Sequence, residues 1–419
     1  MKKDGLFKLI VEGLYDTCYI WREELRQLLK DEGVLIFFII VPIAYPLLYS
    51  WIYNNEVVRE VPVVVVDNAH SHMSRDFIRR CDASPDVKIA YYASDMDEAK
   101  MLMGKELVEA VYYIPSDFQS RLNRMEQSTV SVFCDMSMML TYKAAYMTAM
   151  AVSQEMNSEI QIKLSGKYTK REEELQVQPL AAGDVPIFSP AGGYGSGVLP
   201  AVLMLILQQT LVLGIGMSAG TARESNRFRD LVPIQKHYHG MFRIVFGKTL
   251  CYFMIYALMG TWLTVVVPRI FHFPCLGHWD DLLAIMIPYI LACIFFGITM
   301  SCIVRYRENV MLLMVFVSVP LLFLSGASWP QSSIPGIWRG VSWLFPSTFG
   351  IRAYIRTNSM GGTLSDVLTE YRALWLQVLC YFFVACVVYR YQIQQARHHA
   401  LERLEFLKNK RKGNIKANS

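Results

Sequence analysis

Six uncharged apolar runs constrain the fold of this chain more than any other feature of its sequence. Each has about the length of a helix that crosses a hydrocarbon core of roughly 30 Å. Within the bounds given below, none of the runs contains Asp, Glu, Lys, Arg or His. The chain is therefore predicted to cross a membrane about six times. The runs occupy residues 33–53, 198–219, 249–267, 282–304, 309–329 and 373–389.

The composition favours membrane spans over one large soluble core. Of the 419 residues, 53% are hydrophobic and only 18% are charged, whereas a soluble domain is usually about 25% charged. Ion-coupled transporters usually carry ionisable groups within their spans, because something there must bind the coupling ion. The uncharged spans therefore predict that the energy for any transport comes from outside them.

Residues 54–190 have the composition of a soluble domain inserted after the first span. Strand-like runs at 61–66, 87–92, 107–114 and 129–134 alternate with helical patterns, which predicts an α/β layer with partly parallel strands. The predicted fold is thus an α-helical polytopic membrane domain of about six spans with an inserted α/β domain. The sequence leaves open whether Cys81 and Cys134 form a disulfide.

A short polar segment at residues 220–243 sets the predicted orientation. It holds more Arg and Lys than Asp and Glu, and the positive-inside bias places such loops in the cytoplasm. Both termini are then cytoplasmic, and residues 54–190 are extracytoplasmic. The other predicted parts are an amphipathic cytoplasmic elbow helix at 1–32, spans two to six within 191–391, an outer re-entrant region at 330–372 and a basic cytoplasmic tail at 392–419.

The predicted outer re-entrant region at 330–372 departs from the positive-inside bias. It carries Arg339, Arg352, Arg356 and Arg372. Short helices lying in the membrane interface would accommodate them.

Several motifs suggest bound groups but lack the residues that binding requires. Gly247-Lys248-Thr249 resembles the end of a phosphate-binding loop, yet Phe242 stands where that loop needs a glycine. The pairs His237/His239 and His398/His399 supply too few ligands for zinc. No catalytic constellation is recognisable, and a net charge of +5 is explained by membrane-flanking basic residues. We therefore expect no cofactor, metal site, enzymatic activity or nucleic-acid partner for this chain.

Gln208 and Gln209 lie near the middle of the second span. Amides buried in a membrane usually form hydrogen bonds between helices. Interhelical bonding is therefore the favoured interpretation, and contact with a substrate is the alternative.

Motifs along nearly the whole chain resemble type-2 ATP-binding-cassette (ABC-2) permeases, in particular a bacterial drug-export subgroup with a large extracytoplasmic insertion. No single motif is specific, but their order is. Asn226-Arg227 stands where many members have Gly-Thr, and the spacing to Pro233 is about one residue short. The matching residues are the elbow 21–31, Pro42 and Pro46, the segments 61–67 and 109–118, Arg223-Glu224, Phe228, residues 231–234, Gly247-Lys248, Ser325-Gly326, Pro330, Pro335, Trp338 and Phe345-Pro346.

The resemblance implies the membrane permease subunit of an ATP-driven exporter in the bacterial inner membrane. Its substrate would be small and amphipathic or lipophilic. Its partners would be a cytoplasmic ATP-binding subunit, a second identical or related permease, and membrane lipid, and the resemblance also admits a periplasmic adaptor protein. A membrane-anchored envelope sensor or scaffold is the alternative function. The implied coupling helix at 221–230 would contact the ATP-binding subunit through Arg223, Glu224, Arg227, Arg229 and Asp230.

Overall fold

The chain divides into two compact units, which are described separately. The membrane unit comprises Met1–Asn54 and Phe188–Ser419, and the inserted domain comprises Asn55–Ile187. A computed structural model of the protein describes residues 3–54, 57–124, 126–136, 138–165, 187–188, 193–225, 231–233, 237–238, 240–303 and 306–417.

The described helices and strands follow one another along the chain, and short helical turns occur also at Tyr194–Gly197 and Gln331–Ser333. The elements are α1 (Lys3–Lys30), α2 (Glu32–Ile52), β1 (Val61–Asp67), α3 (His72–Asp82), β2 (Val87–Tyr92), α4 (Met96–Gly104), β3 (Ala110–Ile114), α5 (Phe118–Asn123), β4 (Ser131–Cys134), α6 (Met139–Ser165), α7 (Leu199–Ser225), α8 (Met241–Ile270), α9 (Trp279–Ile303), α10 (Arg307–Leu324), α11 (Gly336–Ser342), α12 (Pro346–Tyr354) and α13 (Leu368–Ala417).

Six described helices are long and apolar enough to cross a membrane: α2, α7, α8, α9, α10 and the part of α13 up to His399. Together with the sheet of the inserted domain they confirm the predicted fold class. The third of these helices begins at Met241, eight residues before the predicted start of its span. The helix can extend there because Arg243 and Lys248 both pair with carboxylates of α1.

Helices α7 and α9 form the centre of the membrane unit, since 78% of the apolar stretch of each is buried. Glycines allow neighbouring helices to approach α7 closely. A Cβ atom added at Gly214 would lie 1.8 Å from the ring of Phe38 on α2. One added at Gly216 would lie 2.4 Å from Val310 on α10. Helix α7 is therefore packed tightly against a helix at each of these two glycines.

Three of the arginines that depart from the positive-inside bias have partners within the chain. The Nε atom of Arg352 donates to the carbonyl oxygen of Ser325 at the end of α10, at 3.0 Å. Arg339 donates to two backbone carbonyls that precede α11. Arg356 pairs with the buried Glu370 at 2.9 Å. Helix-end carbonyls and one carboxylate thus compensate these charges locally.

The inserted domain is built on a four-stranded sheet with the order β2-β1-β3-β4. β1 is parallel to β2 and to β3, whereas β4 is antiparallel to β3. Val63 and Val65 of β1 pack with α3 and α6 on one face, and Val64 and Val66 pack with α4 on the other. Each face of the sheet therefore has its own apolar core. Within this domain Cys81 and Cys134 are free thiols.

The close packing at Gly214 predicts that Gly214→Ala destabilises the membrane unit. Overpacking costs about 1–3 kcal/mol, and the thermal midpoint of the protein in detergent should fall. Adding Phe38→Leu should restore part of the loss. Gly340→Ala is the matched control, because no atom lies within 4 Å of its added Cβ. An unchanged or higher midpoint for Gly214→Ala would contradict the prediction, since alanine otherwise favours a helix.

Candidate functional site

Helix α1 and the residue directly after it carry three buried or partly buried carboxylates. Asp16, Glu24 and Asp31 are spaced by eight and seven residues, which is close to two helical turns in each case. Each carboxylate binds a basic side chain from a different later part of the chain. We call these three acids and their partners the elbow ionic cluster: Asp16 binds His237 and Arg243, Glu24 binds Lys248 and Tyr252, and Asp31 binds Thr221 and Arg307.

The central member of the cluster is a buried ion pair between α1 and α8. The Nζ atom of Lys248 lies 2.7 and 2.6 Å from the two carboxylate oxygens of Glu24. Tyr252 donates its hydroxyl to the same carboxylate. Glu24 is 3% exposed and Lys248 is 9% exposed. An ion pair so far from water is strongly coupled, because removing one partner leaves the other charge buried and unpaired.

A glycine allows the two helices of this pair to meet. A Cβ atom added at Gly247 would lie 2.9 Å from Ile20 and 3.0 Å from the carbonyl oxygen of Thr17 on α1. The Gly247-Lys248 dipeptide that resembles part of a phosphate-binding loop therefore has a packing role. Because Gly247 has no side chain, α1 can approach α8 closely there, and Lys248 binds Glu24 of α1.

The two outer members of the cluster bind the ends of membrane helices. Asp16 accepts from His237 Nδ1 at 2.6 Å, and it also pairs with Arg243 at the start of α8. Asp31 accepts from the Thr221 hydroxyl near the end of α7 at 2.7 Å and pairs with Arg307 at the start of α10 at 3.0 Å. The ends of α7, α8 and α10 that carry these residues are thus held to α1 and to Asp31. We call the end of the membrane unit that holds these contacts the elbow side.

Hydrogen bonding keeps the Asp31 carboxylate ionised despite its partial burial. Burial acts to raise the pKa of Asp31, but the hydrogen bonds from Thr221 and the Val34 amide and the charge of Arg307 outweigh it and hold that pKa below its usual value. The carboxylate also caps the start of α2 by accepting from the backbone N–H groups of Gly33 and Val34. The Asp31 side chain therefore fixes the junction of α1 and α2 and also binds Arg307 at the start of α10.

The two described residues of the predicted coupling set lie in different surroundings. Arg223 is 5% exposed, and it donates to the carbonyl oxygens of Ser301 and Cys302 at 3.0 and 3.3 Å in the last turn of α9. Its guanidinium thus serves contacts inside the chain. Glu224, the next residue on α7, is exposed. The other members, Arg227, Arg229 and Asp230, lie outside the described residues.

The two glutamines of the second span also differ. Gln208 is 2% exposed, and its Oε1 accepts from the backbone N–H of Ser347 at the start of α12. This amide therefore connects α7 to the re-entrant region, as the interhelical interpretation expects. Gln209 points to another side of α7 and lines a groove. Its Nε2 atom is buried, and the described part of the chain offers it no hydrogen-bond acceptor.

The groove that Gln209 lines has a volume of about 510 Å³ and runs between α2, α7 and α10. Three tyrosines, Tyr45 and Tyr49 on α2 and Tyr53 directly after it, stack with ring centroids 5.9 and 6.3 Å apart. Among the lining residues, Gln209, Thr210 and Ser318 add polar groups to walls that are otherwise apolar or aromatic. This volume and this mixture are typical of sites for small molecules.

Sequence patterns did not reveal the elbow ionic cluster. Each pair joins residues about 190 or more positions apart, so no local spacing links them. The one available signal is the recurrence of acids at Asp16, Glu24 and Asp31, at intervals of about two helical turns. Within the part of the chain that the structure covers, no group of three or more His, Cys, Asp or Glu side chains is arranged to hold a metal.

A comparison with protein families finds one matching model, described as "ABC-2 family transporter protein", over residues 33–387. The matched range begins with α2, includes the inserted domain and ends within α13. A search of curated proteins finds no match to the sequence.

The buried pair predicts opposite effects for single and double substitutions. Glu24→Gln or Lys248→Met leaves an unpaired buried charge, which costs about 3–5 kcal/mol. The thermal midpoint and the monodisperse fraction in detergent should fall sharply. The double substitution Glu24→Met/Lys248→Met should recover most of both. Lys30→Met, at an exposed position on α1, is the control. Equal losses in the double and single variants would refute the assignment.

Proposed function

Because the chain belongs to the ABC-2 family of transporter proteins, we propose that it is the permease of an ATP-driven exporter for a small amphipathic or lipophilic substrate. It is a multi-pass membrane protein, and membership of this family implies association with a cytoplasmic ATP-binding subunit. ATP hydrolysis belongs to that subunit in this proposal, and the present chain supplies the membrane pathway.

The proposed orientation places the elbow side in the cytoplasm of a bacterial cell, with the chain in the inner membrane. The excess of Arg and Lys in residues 220–243 and in the tail at 392–419 supports it. Both termini are then cytoplasmic, and the inserted domain lies on the outer side. There it would be available to a periplasmic adaptor protein.

One observation carries the proposed route of energy input: α7 is a single uninterrupted helix from Leu199 to Ser225. At its elbow-side end it presents the exposed Glu224. The other proposed coupling residues, Arg227, Arg229 and Asp230, follow in the sequence. About 22 Å further along, at 1.5 Å per residue, the same helix presents Gln209 to the groove. A displacement of the coupling segment at 221–230 would therefore move a wall of the groove directly.

The elbow ionic cluster would distribute that displacement over the membrane unit. Asp16 and Glu24 bind α8, and Asp31 binds the ends of α7 and α10. Since Asp16 and Glu24 lie on α1 and Asp31 follows it directly, α1 would move with whichever of these helices the ATP-binding subunit displaces. The helices α8 and α10 would follow, because Lys248 and Arg307 belong to them.

The groove between α2, α7 and α10 is the proposed substrate pathway. Its aromatic and aliphatic walls suit a lipophilic body, and Gln209, Thr210 and Ser318 suit a polar group on the same molecule. The groove is open along one side, and a second permease, identical or related, would complete it. Gln209 lines the groove, and a rotation of its side chain would bring its unpartnered Nε2 to an acceptor on the substrate.

The coupling proposal predicts different outcomes for two neighbouring residues. Glu224→Lys should weaken co-purification of the ATP-binding subunit about tenfold or more, since disrupting an interfacial charge pair costs about 2–5 kcal/mol. It should leave the thermal midpoint of the permease unchanged. Arg223→Gln should instead lower that midpoint, because its bonds lie inside the chain. Glu12→Lys, an exposed charge reversal on α1, is the control. Undiminished association and transport-stimulated ATPase activity with Glu224→Lys would count against the coupling role.

The pathway proposal predicts that Gln209→Leu weakens binding of a lipophilic cationic dye, rhodamine 6G, by about three- to tenfold, the value of one hydrogen bond. Fluorescence anisotropy of the dye with the detergent-solubilised permease measures this. Thermal stability should be kept, because the substitution removes an unpaired buried donor. Gln208→Leu, in contrast, should lower the thermal midpoint through loss of the bond to Ser347. Tight dye binding by Gln209→Leu would argue for a pathway elsewhere.

A further inference from the structure

The inserted domain has a crevice where two neighbouring parallel strands end. The chain leaves β1 for α3, which packs with Val63 and Val65 on one face of the sheet. It leaves β2 for α4, which packs with Val64 and Val66 on the opposite face. Because the connections from adjacent parallel strands diverge to opposite faces, a gap opens between their carboxyl ends. Open α/β sheets bind ligands at such a position.

A hollow of about 550 Å³ occupies this position. It lies within the size range of small-molecule sites, about 300–1,000 Å³. Its walls come from both strand ends and from α3, so the topological argument and the shape of the surface coincide. The polar and aromatic residues that line it are Asp67, His70, Arg75, Arg79, Asp82 and Tyr92.

The two carboxylates of the hollow already have partners within the domain. Asp67 accepts from the backbone N–H groups of Ala69 and His70 at 3.0 and 3.1 Å and from the Ser74 hydroxyl at 2.8 Å. These bonds hold His70 in the left-handed region, with φ of 46°, where a residue other than glycine is strained. Asp82 accepts from the backbone N–H of Ile89 at 2.8 Å. Asp67 therefore shapes the crevice and is largely occupied in doing so, and Asp82 uses one of its oxygens to bind β2.

The two arginines retain most of their donors. Arg75 and Arg79 are four residues apart on α3, so they lie on the same face of that helix. Arg75 uses one N–H for the carbonyl oxygen of His70 at 3.2 Å. The Arg79 side chain pairs with Asp76 through its Nη2 atom, and it is 80% exposed. A guanidinium has five N–H donors and binds carboxylate or phosphate with two at once. Donors thus outnumber free acceptors in the crevice.

An aromatic ring completes the surface. Tyr92 ends β2 beside this crevice, and it is 68% exposed. An exposed tyrosine next to two arginines offers a flat apolar surface within reach of an anionic group.

From this arrangement we infer that the crevice binds a small organic anion. Arg75 and Arg79 bind its carboxylate or phosphate, and the ring of Tyr92 packs against its apolar part. This ligand site belongs to the inserted domain and uses none of the residues of the groove in the membrane unit. It is therefore a second binding function, separate from the proposed transport pathway.

The test uses ¹⁹F NMR of three small probes titrated with the full-length protein in nanodiscs. The probes are 4-(trifluoromethyl)benzoate, 4-(trifluoromethyl)phenyl phosphate and the uncharged 4-(trifluoromethyl)benzyl alcohol. The two anions should show saturable line broadening, and the alcohol should not. Arg75→Gln and Arg79→Gln should each weaken anion binding about tenfold, as expected for loss of a charge-assisted hydrogen bond. The relative affinity of the two anions identifies the preferred oxyanion.

Two further variants make the result specific to the crevice. Arg121→Gln removes one positive charge from α5 of the same domain, outside the hollow, and should leave anion binding unchanged. Tyr92→Ser should weaken the aryl phosphate but not inorganic phosphate, measured by ³¹P line broadening. Equal binding of all three probes, no saturable binding of either anion, or an equal loss with Arg121→Gln would each overturn the inference. Because no ATP-binding subunit is present, the outcome does not depend on the transport proposal.

Discussion

A charge that leaves water must find a compensating partner, and in the membrane unit helix α1 and Asp31 directly after it supply three carboxylates that do this. Moving an ion into a medium of low dielectric constant costs several kcal/mol, and close pairing with further hydrogen bonds offsets that cost. The pair of Glu24 with Lys248 is the most deeply buried case. Around it, Asp16 and Asp31 pair with Arg243 of α8 and Arg307 of α10. These contacts hold the helix ends of the elbow side together, beside the apolar packing of Ile20 and Leu28.

Local partners also compensate the arginines of the re-entrant region at the other end of α10. Arg352 and Arg339 donate to backbone carbonyl oxygens, and Arg356 pairs with Glu370. Helix ends leave their last carbonyls without partners inside the helix, so an arginine nearby can satisfy them. The positive-inside bias is statistical, and each of these three arginines has an acceptor within the chain.

The sequence alone predicts the six spans, the inserted α/β domain and the family. Spans are readable because hydrocarbon thickness imposes a length, and the α/β layer because strands and helices have different periods. The extension of α8 to Met241, ahead of the predicted span, is not readable from the sequence, because Arg243 and Lys248 indicate an aqueous loop unless their partners on α1 are known. The different surroundings of Arg223 and Glu224 are also hidden, since local sequence does not record that one faces the end of α9 and the other faces solvent.

The elbow ionic cluster has a consequence for biosynthesis. Translation proceeds from the N-terminus, so Asp16 and Glu24 leave the ribosome about 220 residues before His237 and Lys248, a delay of roughly 10–40 s at ordinary elongation rates. Until then, Asp16, Glu24 and Asp31 have no basic partner from the later helices, and water must solvate them. The ionic contacts of α1 and Asp31 with α8 and α10 can therefore form only after those helices have been made. Docking of α1 is thus a late step, and it completes the elbow side.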